Sequence, residues 1–125
     1  MKNILYTIIL SFLFSSSVFG EVSILEPTQN PNAPYRLFKT KNIHTLLKLD
    51  TRSGQIWQVQ WGSGGERFTT PPINDPIILH EEPGRFTLYP TDNMWTFILL
   101  DQEMGFSWHV QWSTNSKERF AYPIP

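Results

Sequence analysis

Apolar residues along this chain recur every second position in short runs, separated by Pro, Gly, Asn and Asp, and no stretch keeps a helical interval. That is the pattern of β-strands. Eight strand candidates follow, at residues 22–25, 35–40, 43–49 and 55–61, and again at 76–79, 86–89, 94–100 and 106–112. Between residues 55 and 61, alternation sends Trp57, Val59 and Trp61 to one face and Ile56, Gln58 and Gln60 to the other. Between 106 and 112, Trp108, Val110 and Trp112 oppose Ser107, His109 and Gln111. The Trp-Val-Trp face is the more apolar in both, and each indole buried there removes about 150–250 Å² from water. This face is therefore expected to form the interior. Gln58, Gln60, His109 and Gln111 are left to line a barrel lumen or to meet solvent, and they are candidate binding residues.

The second half of the chain repeats the first. Residues 35–61 and 86–112 align without a gap at a spacing of 51, with 11 identities in 27 positions, among them Thr40/Thr91, Asn42/Asn93, Asp50/Asp101, Gly54/Gly105, Trp57/Trp108 and Trp61/Trp112. After one inserted residue the match resumes at Glu66-Arg67-Phe68 and Glu118-Arg119-Phe120, read here as a repeated surface ion pair. Each unit spans about 50 residues, roughly 22–72 and 75–125. A unit that small rarely builds a sufficient core alone. The expected fold is all-β, with two tandem four-stranded antiparallel units joined as one pseudo-two-fold barrel or sandwich.

Asp50 and Gly54, like Asp101 and Gly105, stand between two strand candidates, where Asp accepts turn amides and Gly takes a positive φ. This Asp-x-x-x-Gly-x-x-Trp pattern resembles the hairpin in blades of quinoprotein-type β-propellers, over about 8 residues per copy. Propellers close with about 4–8 blades and this chain has two units, so the resemblance implies a hairpin and no activity.

Lys39, Lys41, His44 and Lys48 of the first unit become Pro90, Asp92, Trp95 and Leu99 in the second. The stretch 94–100 is apolar on both faces apart from Thr96, as expected of a strand covered on both sides. If nothing covers the face of Trp95, Phe97 and Leu99, those residues form a partner or self-association surface.

Composition narrows the function classes. With 10 Lys+Arg against 11 Asp+Glu there is no positive field for a nucleic-acid backbone and no polybasic run for anionic lipid. Residues 1–20 read as a signal peptide, with Lys2, an apolar run from Ile4 to Phe14 and a small-residue approach through Val18 and Gly20. The run is short for a bilayer span, so an exported chain beginning at Glu21, periplasmic or extracellular and without stable membrane insertion, is expected. There is no cysteine, hence no disulfide.

Catalytic signatures are weak. His44, His80 and His109 show no metal-ligand spacing, Gly62-Ser63-Gly64-Gly65 lacks a strand-to-helix setting, and no cofactor or metal is expected. The leading expectation is a non-catalytic exported domain that binds a macromolecular partner at the cell envelope, a protein such as an incoming toxin in an inhibitor or immunity-type role. The alternatives are a glycan-binding module using Trp95, Trp57 or Trp61, and a small hydrolase using His80, Glu81 or His109.

Overall fold

A computed structural model describes residues 29–79 and 81–125. The expected signal peptide, the strand at 22–25 and His80 lie outside the described residues. The fold is all-β. β1 (Tyr35–Lys39), β2 (Thr45–Asp50), β3 (Ile56–Trp61) and β4 (Arg67–Thr69) form one antiparallel sheet in sequence order. β5 (Phe86–Pro90), β6 (Thr96–Asp101), β7 (Ser107–Gln111) and β8 (Phe120–Ile124) form a second of the same kind. A single turn of 3-10 helix, Ser116–Glu118, precedes β8. The two sheets do not join into a barrel.

The repeated residues make the same turns twice. The carbonyl of Asp50 accepts from Gly54 N–H at 2.9 Å, and that of Asp101 from Gly105 N–H at 2.8 Å, with both glycines at φ 79°. Thr40 Oγ1 donates to the carbonyl of Thr45 and the Asn42 side chain accepts from His44 N–H; Thr91 and Asn93 do the same for Thr96 and Trp95. Each Asp is also gripped by an arginine fork, but from different places. Arg52 of the same turn holds Asp50, whereas Arg85, just before β5, holds Asp101 at 3.1 and 2.9 Å. Burial pushes the Asp101 carboxyl up, yet the Arg85 hydrogen bond and the Met104 and Glu103 amides outweigh it and hold it below its ordinary 3.8.

The fourth strand of each unit differs from expectation. Residues 76–79 form no strand; the segment loops along the start of β3, anchored by Ile73 N–H on the Ile56 carbonyl and Ile77 N–H on the Ser53 carbonyl. Ile73, Ile77 and Ile78 rest against the core. Of the four apolar residues at 76–79, Ile77 and Ile78 are half-buried without strand pairing, while Pro76 and Leu79 are exposed. The fourth strands are instead β4 and β8, from the Glu-Arg-Phe segments. Pro123 is tolerated within β8 because that strand is an edge. The expected surface ion pair is replaced at the second copy: Arg119 Nε donates to the Ser113 carbonyl at 2.8 Å, and Glu118 accepts from Ser113 Oγ.

One hydrophobic cluster draws on both sheets: Leu47, Leu49 and Ile56 from the first, and Phe86, Leu88, Phe97, Leu99, Val110 and Trp112 from the second. Strand register shows which faces these are. Leu47 stands beside Gln58 and Leu49 beside Ile56, so the first sheet buries the face of Leu47, Leu49, Ile56 and Gln58. In the second sheet Phe97 stands beside Val110 and Leu99 beside Trp108, and it is this Trp-Val-Trp face that is buried. The repeat counterparts of Leu47 and Leu49 are Ile98 and Leu100, on the opposite face of their sheet and only half-buried.

The two units therefore turn unlike faces to the shared interior. A pseudo-two-fold would bury equivalent faces, so that expected relation is corrected. Within the core the junction carries a polar side chain, Gln58, fully buried, which donates through Nε2 to the Ser113 carbonyl at 3.1 Å and accepts from Ser113 N–H at 3.2 Å. Two further links join repeat counterparts: Arg36 Nη1 reaches Thr87 Oγ1 at 3.5 Å, and Lys41 Nζ donates to the Asp92 carbonyl at 2.7 Å.

Candidate functional site

With its other face in the core, the first sheet leaves Tyr35, Leu37 and Lys39 of β1, Leu46 and Lys48 of β2, and Trp57, Val59 and Trp61 of β3 on its outer side. Tyr35 is 52% exposed, Leu37 44% and Trp61 41%. The expectation that Trp57, Val59 and Trp61 lie inside is thus corrected, while their counterparts Val110 and Trp112 are fully buried.

Cations lie along the rings of this face. Lys48 stands opposite Trp57 in the strand pairing, and its Nζ lies 5.0 Å from the Trp57 ring centre and 6.0 Å from that of Tyr35. The Arg52 guanidinium lies 5.2 Å from the Tyr35 ring and donates to the Tyr35 hydroxyl. Tyr35 and Trp57 themselves are 6.4 Å apart and tilted by 59°. An ammonium over indole is attracted by the ring quadrupole, which lets Lys48 lie flat over an otherwise apolar surface. Beside these rings a cavity of about 570 Å³ opens, lined by Gln29, Asn30, Tyr35, Leu37, Lys39 and Leu46.

The other candidate residues fall elsewhere. Phe97 and Leu99 are buried and Trp95 is half-buried, its ring 4.6 Å from that of Trp112, so the expected partner surface at 95, 97 and 99 belongs to the interior. Gln58 lies in the core rather than in a lumen or in solvent. Gln60 stays half-buried beside it, and Gln111 donates to the Glu118 carbonyl. His109 lies on the outer face of the second sheet, edge-on to Phe120 at 5.0 Å, and its Nε2 is buried without a hydrogen-bond partner among the described residues.

For hydrolytic chemistry, Glu81 lines a cavity of about 380 Å³ with Asp50, Arg52, Ser53 and Gln55, and His109 does not reach it. Among the described residues no three His, Asp or Glu side chains gather as a metal site.

Residues that sequence reasoning missed, Tyr35, Leu37, Lys48 and Arg52, complete the open face. The signal for them was Lys48. Standing across from Trp57, it marks that side as the wet one, because a lysine is almost never fully buried unpaired.

No family model matches the chain, and comparisons with curated proteins and with solved structures find no match.

Proposed function

We propose that the chain is an exported, non-catalytic β-domain that binds a protein partner at the cell envelope, and that the outer face of its first sheet is the docking surface. The two sheets are layers of one sandwich, and the open layer carries the binding residues. One observation carries this reading: Trp57 and Trp61, whose counterparts Trp108 and Trp112 serve the interior, lie on a face that no second sheet among the described residues covers, beside exposed Tyr35 and Leu37. Clustered aromatic side chains with cationic neighbours are enriched where proteins meet, since they bury large area at low entropy cost. The test is retention of an envelope protein by the immobilised chain and its release by Leu37→Ser combined with Trp61→Ser. Equal retention by both forms contradicts the reading.

A glycan-binding role on the same face is favoured by one feature, the cavity of about 570 Å³ beside Tyr35 and Leu37. Tryptophan fluorescence that shifts with one member of a glycan panel, and no longer does so after Tyr35→Ser, supports it; an unchanged signal across the panel removes it.

A further inference from the structure

The two repeats pack front to back, so among the described residues two sheet faces stay open, and they are counterparts of the two already joined. The outer face of the first sheet, with Leu46, Lys48, Trp57 and Val59, is the repeat equivalent of the second sheet's buried face, with Phe97, Leu99, Trp108 and Val110. The outer face of the second sheet, with Ile98, Leu100, Ser107 and His109, is the equivalent of the first sheet's buried face, with Leu47, Leu49, Ile56 and Gln58.

We infer that the partner of the open first-sheet face is a second copy of this chain, whose second sheet docks there as the first sheet docks on the second within one molecule. This rests on the reading that the open face binds protein. Such a contact is heterologous: each copy uses one face to receive and the other to give, so addition continues until the ring closes.

Three observations favour that occupant. First, the geometry of the contact already exists inside the chain, and apolar residues at its counterpart positions lie on the free faces. Apolar Leu46 and Val59 would meet Ile98 and Leu100, and Lys48 is already laid over Trp57 rather than standing off the face.

Second, charge matches where the internal junction predicts contact. Positions 41 and 92 touch within the chain, through Lys41 and the Asp92 carbonyl. Between copies the same two positions bring the Asp92 carboxylate of one molecule to the Lys41 ammonium of the next. Third, His109 holds the place that Gln58 holds at the internal junction, where Gln58 bonds the Ser113 backbone. The counterpart of Ser113 on a neighbouring copy is Gly62, whose backbone would stand across from the half-buried His109 ring.

Both links between repeat counterparts, Arg36 to Thr87 and Lys41 to Asp92, lie on or just beyond β1 and β5. Gln58 and Ser113 join the layers further across, and the strands that come nearest are β2 and β5; layers related by a repeated rotation close a ring. Closed radial stacks of four-stranded sheets hold about 4–8 layers, so two sheets per chain give a ring of roughly two to four copies.

Light scattering of the purified protein at rising concentration, with Val59→Glu and Ile98→Glu alone and mixed, tests this. The expected result is one discrete mass for the unaltered chain, two- to fourfold that of a single copy on this ring size. Each variant alone should be monomeric. Mixed, they should form a 1:1 dimer, since the first keeps an intact second-sheet face and the second an intact first-sheet face.

If either charged variant loses its strand circular dichroism, Trp61→Ser and Tyr122→Ser replace it at exposed positions on the same two faces. A monomer at every concentration, an open-ended series of masses, or a dimer dissolved by Val59→Glu and untouched by Ile98→Glu overturns the inference. A monomer that still retains an envelope protein through Leu37 and Trp61 overturns self-docking while the binding reading stands. Retention indifferent to Leu37 and Trp61 overturns that reading instead.

Discussion

The side-chain amide of Gln58 meets both backbone groups of Ser113, donating to the carbonyl at 3.1 Å and accepting from the N–H at 3.2 Å. It is a fully buried side-chain link between the two sheets. Arg119 also donates to that carbonyl, so removal of Gln58 leaves the N–H without a partner while the carbonyl keeps one. Gln58→Ala is expected to cost about 1–3 kcal/mol, the range for an orphaned buried donor. Urea unfolding measures it, and a change within about 0.5 kcal/mol, as for an ordinary surface substitution, contradicts the assignment.

Exchange of residues at one repeat position separates inside from outside. Leu99 is fully buried and its counterpart Lys48 lies on the open face. Leu99→Lys puts an unpaired charge in the core and should unfold the domain or cost several kcal/mol, whereas Lys48→Leu should stay within about 0.5 kcal/mol. Thermal unfolding of both in dilute solution is the check; similar losses would mean the two positions share an environment.

The equivalent glycines part company in the same way. Gly54 and Gly105 have the same φ of 79°, but a Cβ at Gly54 would come 2.9 Å from Ile77 Cγ1, and one at Gly105 meets nothing within 4 Å. Gly105→Ala should cost about 1 kcal/mol from backbone strain alone. Gly54→Ala should cost a further 1–3 kcal/mol or so from crowding. Equal costs by chemical denaturation would show that the loop at Ile77 does not press on the turn.

Acid should loosen the second sheet at the Asp101 turn. Because the folded Asp101 carboxyl titrates below its ordinary 3.8, the stability it contributes is complete above that value and is lost as pH falls through the lower folded value. Unfolding free energy should therefore decline from about pH 4 downward, and Asp101→Asn should remove that part of the slope. A variant with the same acid profile as the parent contradicts it.

Much of the fold was legible because alternation and turn chemistry are local. β1–β3 and β5–β7 follow from β-branched and aromatic runs closed by Asp-Gly and Thr-x-Asn turns, and the doubled turns account for the identities at Thr40, Asn42, Asp50 and Gly54. β4 was hidden because Arg67–Thr69 is three residues long and exposed, so no burial pattern marks it, and β8 because Pro123 interrupts its run and its last three residues are exposed. The choice of interior face was hidden for a different reason. Periodicity along β3 separates Trp57 from Gln58 but does not say which side the neighbouring sheet takes. Only the cross-strand partners decide it, Lys48 beside Trp57 and Leu47 beside Gln58.

That opposed choice of faces in the two repeats is most directly measured by thiol labelling, since the chain has no cysteine of its own. Single cysteines are placed at 47 and 98, which are repeat counterparts, and at 48 and 99, which are counterparts too, and their labelling rates are compared in dilute solution. Leu47→Cys and Leu99→Cys should be protected, and Lys48→Cys and Ile98→Cys should react far faster. Rates that match within each counterpart pair, 47 with 98 and 48 with 99, would contradict it.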